Sequence, residues 1–238
     1  MQIIQQIYKA LYKEYGPQGW WPLIDYKGNN PTKTGSIKGY HPGDYNLPET
    51  QNQRFEICIG SILTQNTGWV NTERALTNLK KLHSLAPTPL MILQDDELKL
   101  AIKPTGYFNQ KAKKIRGFTE FYITLNDRTP TREELLSIWG IGKETADSIL
   151  LYAFKIPTFV IDAYTRRIFS NLGLIEKNAE YDKIKSLFEN NLKPNLIVYQ
   201  EYHALIVEHA KRHYSKKTEH ILCPLYQKFV KWANFLII

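Results

Sequence analysis

The stretch "LLSIWGIGKETADSILLYAF", residues 135–154, sets two apolar helical segments against each other across a turn of a few residues, and few folds accommodate so sharp a corner. Thr131, Glu133 and Glu134 ahead of Leu135, Leu136 and Ile138 resemble a capped helix start. Gly140 and Gly142 provide the unhindered backbone that a hairpin requires. The second helix is expected from Lys143, anchored in the core by Ala146, Ile149, Leu150 and Ala153 at i, i+3, i+4 and i+7. Its first free N–H groups are then left at the hairpin, where backbone amides attract phosphate. Ile141 is expected to turn inward between the helices, the two glycines to leave the backbone open to a DNA strand, and Lys143 to add charge. A plain corner between two helices, with glycines for steric reasons, also explains these residues.

Helical periodicity continues through the chain. Ile3, Ile7, Leu11 and Tyr15 share one helical face, as do Phe55, Cys58, Ile59, Ile62 and Leu63. Further helices are expected over 69–82, 88–102, 109–124, 131–138, 143–154, 163–172, 179–190, 195–213 and 224–234, and no run alternates as a strand, so the expected fold class is all-α. Between the first two helices, "YKGNNPTKTGSIKGYHPGDYNLPETQNQ" is too rich in Gly, Pro, Asn and Thr for a helix and is long for a connection. An ordered functional loop and a flexible excursion both fit it.

With 238 residues, 43% of them apolar, the chain can bury one sizeable core or two small ones. Lys and Arg total 31 against 23 Asp plus Glu, a formal charge of +8 that admits a polyanionic partner as well as a merely well-solvated surface. Cys58 and Cys223 offer neither a disulfide framework nor a metal-ligand spacing. No apolar run approaches the roughly 20 residues of a membrane span, and "MQIIQQIYKALYKEYG" lacks a secretory-signal profile. A cytoplasmic protein without a membrane partner is expected, associated with the nucleoid if prokaryotic.

After the hairpin, Pro157 closes the helix, "TFVID" makes a short connection, and Asp162 stands directly before a new helix, "AYTRRIFSNLG". Asp162 reads first as a helix N-cap, worth about 1 kcal/mol. The same carboxylate stays ionised and faces whatever lies beyond the helix end, and an anion poised near DNA suggests chemistry.

"WGIGKETADSILLYAF" followed by "VIDAYTRRIF" resembles the helix-hairpin-helix DNA glycosylases of the endonuclease III superfamily, which share a glycine-rich hairpin and a downstream Asp. "GSILTQNTGWVNTERAL" and "PTGYFNQKAKKI" are similar to that superfamily as well, so the resemblance spans most of residues 54–214. It implies two helical lobes with a DNA-binding cleft between them. One is a six-helix lobe, 54–156, containing the hairpin. The other joins residues 1–53, the N-terminal helix and long loop, to a C-terminal helical lobe, 157–238. The implied partner is double-stranded DNA containing a damaged base, bound by a monomer, with Asp162 stabilising a cationic sugar or orienting the attacking water. Gln65 and Tyr107 match positions that fill the gap left by a flipped nucleotide and wedge the opposite strand. On their own, Gln65 reads as a helix-end hydrogen bonder and Tyr107 as a half-buried loop aromatic.

Departures from the pattern carry the chemistry. Members that also cut the strand place a lysine after the hairpin, as "GxGxKTA", where this chain has Glu144, and a carboxylate cannot do amine chemistry. Lys143 is one residue away, about 100° around the helix, and is expected at the phosphates. The resemblance therefore implies a monofunctional glycosylase. Many relatives hold an iron–sulfur cluster with four cysteines, whereas "HAKRHYSKKTEHILCPLYQ" retains only Cys223, so no cluster and no other cofactor is expected, apart from a possible monovalent cation at the hairpin. Lys211, in the same stretch, reads as a buried lysine, neutral or carbamylated, or equally as a solvated or phosphate-facing one.

The substrate signal is "GWWPLI", in which one of Trp20 and Trp21 is expected in the core and the other, with Pro22, as a stacking wall for a flipped base. "WWP" with "LTQNT", Glu144 and a missing cluster resembles the 3-methyladenine DNA glycosylase branch. A cationic alkylated base would be favoured by indole faces and by the carboxylates of Glu144 and Asp162. The competing readings are a glycosylase for uracil, mismatched thymine or oxidised bases, and a noncatalytic DNA-binding module, which would not require Asp162.

Overall fold

The computed structural model describes residues 3–214 and 223–233, which are helical and connecting segments with one isolated antiparallel bridge, Asn29 to Lys38. The first helices are α1 (Ile3–Tyr15), α2 (Gln51–Leu63), α3 (Trp69–Lys81), α4 (Pro87–Ile92), α5 (Asp95–Ile102) and α6 (Phe108–Thr124). The hairpin joins α7 (Arg132–Ser137) to α8 (Lys143–Ser148), and α9 (Ala163–Asn171), α10 (Tyr181–Asn191), α11 (Leu196–His213) and α12 (Pro224–Ala233) follow. Residue 234, the expected end of the last helix, lies outside the described residues.

Two expected helices are divided. The single helix anticipated over 88–102 is α4 and α5, because Gln94 and Glu97 form a capping box that starts a new helix, while the Arg116 guanidinium donates to the carbonyls of Leu90, Met91 and Leu93 where α4 ends. The segment 143–154 begins as α8 and continues as a π turn over Ile149–Ala153, closed by Phe154 N–H on the Ile149 carbonyl. A π turn takes in one extra residue and changes the face on which later side chains emerge, a displacement that apolar periodicity does not encode.

α2 is buried from Phe55 to Leu63 and packs on α3, α6 and the π segment. α1 buries Ile4, Ile7 and Leu11 and lies on α11, where the Tyr202 hydroxyl donates to the Ile4 carbonyl at 2.9 Å. α11 also packs on α9. The π segment touches both α2 and α11, so it runs between the two helical groups.

The connection from α1 to α2 is ordered. Its start is gripped by buried carboxylates on either side of Trp20 and Trp21: Glu201 of α11 accepts Gln18 N–H at 2.7 Å and Gly19 N–H at 3.4 Å, and Glu56 of α2 accepts Ile24 N–H at 2.6 Å. The chain then folds back on itself, with Leu23 N–H on the Gly39 carbonyl and His41 N–H on the Gly19 carbonyl. The approach admits no side chain at either glycine, since a Cβ at Gly19 would lie 2.2 Å from Pro42 N and one at Gly39 would lie 2.6 Å from the Leu23 oxygen, and both have positive φ.

Burial pushes the Glu56 carboxyl up from 4.5 to about 7, against the opposing effect of the Ile24 amide. In the window between those values the folded chain holds a proton that the unfolded chain has released, so this group makes stability fall as pH rises. Glu56→Gln keeps an acceptor for Ile24 and cannot ionise. The decline in thermal midpoint between pH 5 and pH 8 is expected to be smaller in this variant by roughly 5–10 °C. A parallel pair of pH curves would assign the decline to other groups.

Candidate active site

Asp162 caps α9 with one oxygen and leaves the other for the cleft. Oδ1 accepts Thr165 N–H at 2.7 Å and the Thr165 hydroxyl at 2.8 Å, while Oδ2 lies 3.6 Å from His203 Nε2. Burial acts to raise the Asp162 carboxyl, but His203 and the two Thr165 bonds outweigh it and hold the group below the ordinary carboxylate range. Glu144 stands in the first turn of α8, where it is solvent-accessible at the cleft. Desolvation, reinforced by the Asp162 charge, pushes its carboxyl up to about 7. The two acids thus differ in ionisation at neutral pH, the arrangement that divides acid from base roles.

Both face a cavity of about 160 Å³ that is also lined by Trp20, Trp21, Pro22, Tyr40, His203 and Lys211. The tryptophan rings lie 73° apart. Trp21 is the core member: it is buried, edge-on to Trp69 and Tyr152 at 5.6 and 5.3 Å between centroids, and seated against Gly60, where a Cβ would be 3.1 Å from its indole nitrogen. Trp20 is half-buried and meets His203 edge-on at 5.7 Å, leaving ring surface toward the cavity. Lys211 is partly buried, and desolvation pushes its ammonium below the ordinary value despite Glu208.

The cavity opens into a cleft that shares Glu144, Asp162 and Tyr164 with it and is bordered by Gln65, Gly140, Gly142 and Lys143. Gly140 has φ +84°, and a Cβ there would come within 2.8 Å of three carbons of Lys114. Ile141 is buried, as expected. The Gln65 amide is engaged at both ends, donating to the Gly140 carbonyl at 3.1 Å and Thr145 Oγ1 at 3.0 Å and accepting from Lys114 at 2.5 Å. It fastens the α2–α3 turn to the hairpin, while its neighbour Asn66, at φ +51°, is exposed. Tyr107 is not half-buried: it is 76% exposed at the start of α6, with φ +45°.

Lys143, expected at the phosphates, is held in this structure by Asp182 of α10 at 2.5 Å. Asp182 also accepts from Arg132 at 2.9 Å, and Arg132 and Lys185 both bond the fully buried Asp147, so this network ties the hairpin to α10. In the C-terminal stretch, Cys223 is buried with its Sγ 3.0 Å from His209 Nε2 and accepting from the Tyr214 hydroxyl at 3.4 Å; residues 215–222 lie outside the described residues.

Sequence reasoning missed Tyr40 and His203. Tyr40 reaches the cavity through the return of the long loop, which no local pattern announces. His203 carried a usable signal, since 203, 207 and 211 are one stripe of α11 and all three line the cavity.

A helical chain with a glycine hairpin, a buried anion at a cleft and an aromatic cavity beside it has the constitution of a DNA base-excision protein. The chain belongs to the HhH-GPD superfamily of base excision DNA repair proteins, whose model matches residues 59–194. It is 43% identical over 94% of both chains to a protein of Methanocaldococcus jannaschii that bears the name of a DNA repair glycosylase, and 28% identical to the endonuclease III of Sulfolobus acidocaldarius over 89% of this chain and 88% of that one. Among solved structures it is similar to the 3-methyladenine DNA glycosylase of H. pylori bound to 1,N6-ethenoadenine, at 26% identity and TM-score 0.66, covering 88% of this chain and 97% of that one. A noncovalent endonuclease III–DNA complex shares the fold, at 17% identity and TM-score 0.72, covering 99% of both chains. The chain is therefore a base excision DNA repair protein of that superfamily.

Asp182→Asn removes an anion from the cleft margin and releases Lys143. Binding to all duplexes is expected to tighten alike, and the slope of log Kd against log salt to steepen by up to about one, as for one added phosphate contact. Anisotropy titrations across a salt series measure this, and an unchanged slope would remove Lys143 from the phosphate interface.

Proposed function

We propose that the protein is a monofunctional glycosylase that hydrolyses the N-glycosidic bond of an alkylated, 3-methyladenine-like base and leaves an abasic site. The observation that carries this reading is the pairing, around one cavity, of the Trp20 ring with two carboxylates, Glu144 standing where strand-cutting relatives have lysine. A flipped base entering the cavity stacks on Trp20, where an alkylated, cationic ring gains cation–π attraction as well as area. Its glycosidic bond is already weakened by the charge, so the protein needs only to stabilise the cationic sugar and orient water, which suits Asp162 kept ionised by its neighbours.

Lys211 supplies an amine to the same cavity, but its Cα lies about 12 Å along α11 from that of His203, eight residues at 1.5 Å each. His203 stands beside Asp162, and Lys211 lines the same cavity two turns farther along α11. The alkylation reading is also supported by the likeness to the H. pylori 3-methyladenine glycosylase.

Duplexes carrying methylated purines, ethenoadenine, uracil, mismatched thymine or oxidised bases are the direct test. Methylpurine release is expected, with strand breaks only after alkali; breaks without alkali, or an adduct trapped by borohydride, would overturn the monofunctional assignment. Asp162→Asn is expected to keep duplex binding and to lose base release by about 10²-fold or more.

Trp20→Phe keeps an aromatic face and is expected to be tolerated, whereas Trp20→Ala should lose roughly 1–3 kcal/mol of stacking and cation–π attraction. Methylpurine release by the parent and both variants, beside uracil duplexes, measures the contrast. Strong uracil release without methylpurine release would sink the alkylation reading and leave the glycosylase.

A further inference from the structure

We propose that His203 is the positioning residue for Asp162, fixing the free oxygen of that carboxylate at the edge of the cleft. The role concerns the active centre proposed above and rests on that reading. Asp162 Oδ1 is saturated by the amide and hydroxyl of Thr165, so the orientation of Oδ2 depends on what faces it. That group is His203, buried on α11, its Nε2 at 3.6 Å.

The imidazole is itself held from behind. Tyr152, fully buried on the π segment, places its hydroxyl 2.8 Å from His203 Nδ1 and donates to the Gln200 carbonyl at 3.1 Å. With the phenol proton on Gln200, Nδ1 is the ring donor to the phenol oxygen. Nε2 is then the atom on which the arrangement turns: it is buried, has no hydrogen-bond partner among the described residues, and looks at a carboxylate oxygen. A bare lone pair there would face a second acceptor. A proton on Nε2 turns the same contact into a charge-assisted interaction with Oδ2.

Among the described residues, the titratable groups around the pair are Glu144 from α8, Tyr152 from the π segment, Tyr164 from α9, Tyr40 from the long loop and, two turns along α11, Lys211. Trp20 stands edge-on to the ring and shields it. The π turn is what brings Tyr152 to α11, so this irregular helix end has a place in the site: it props the histidine that props the aspartate.

The test reads Asp162 directly. The carboxyl carbon of Asp162, followed by carbon-13 NMR from pH 2 to pH 8, is expected to titrate about one to three pH units higher in His203→Phe than in the parent. In His203→Gln, whose neutral amide still donates, an intermediate shift is expected, and this variant preserves a polar partner for Tyr152 should the phenylalanine fail to fold. On a lesion duplex that the parent processes, the acidic limb of the single-turnover rate should move by the same amount, with duplex affinity unchanged. An Asp162 titration that does not move in either variant overturns the proposal. A shifted titration in a protein that releases no base from any lesion duplex leaves the pairing standing and overturns the glycosylase mechanism instead.

Discussion

The grip of Glu201 on the amides of Gln18 and Gly19 is the contact on which the site depends. It joins residues 183 and 182 positions apart in the chain and brings the segment after α1 onto α11. Glu56 does the same from α2, on the other side of the two tryptophans. Buried carboxylates are costly to desolvate, and here each is offset by backbone N–H groups that would otherwise be left unpaired. The two clamps, with the packing of Trp21, fix the segment on the cavity that it walls.

Charge is managed by the same means in the cleft, where two acids lie a short way apart in a protein of +8 formal charge. Asp162 is the more buried, yet it stays ionised because Thr165 and His203 favour the anion; Glu144, lacking such bonds, yields to desolvation and to its neighbour. Local hydrogen bonding decides the contrast, and depth alone would order the two groups the other way. Two carboxylates with different protonation are more versatile at a DNA backbone than two full charges, since only one repels phosphate strongly.

The hairpin is set from two directions. Gly140 is required by its positive φ and by Lys114, whose carbons occupy the space of a Cβ, and Lys114 is in turn bonded to Gln65. From the other side, the Asp147 network holds α7 and α8 to α10. A buried ion network of this kind adds little net stability, but breaking one partner leaves an uncompensated charge, so it resists displacement of the hairpin.

The sequence by itself determined the helices, the hairpin, the inward Ile141 and the cap at Asp162, because apolar periodicity, glycine and capping chemistry act within a few residues of chain. It also pointed to Trp20, Pro22, Glu144 and Lys211 through a resemblance, and the structure gathers all four around one cavity. It could not divide 88–102, where a capping box of Gln94 and Glu97 reads like ordinary helix, nor foresee the π turn that aims Tyr152. Which tryptophan packs in the core, what Lys143 pairs with, and that Tyr40 reaches the site were decided only by tertiary structure. Each of these depends on contacts between elements far apart in the chain, and such contacts are set by how whole faces pack, which no short window of residues contains.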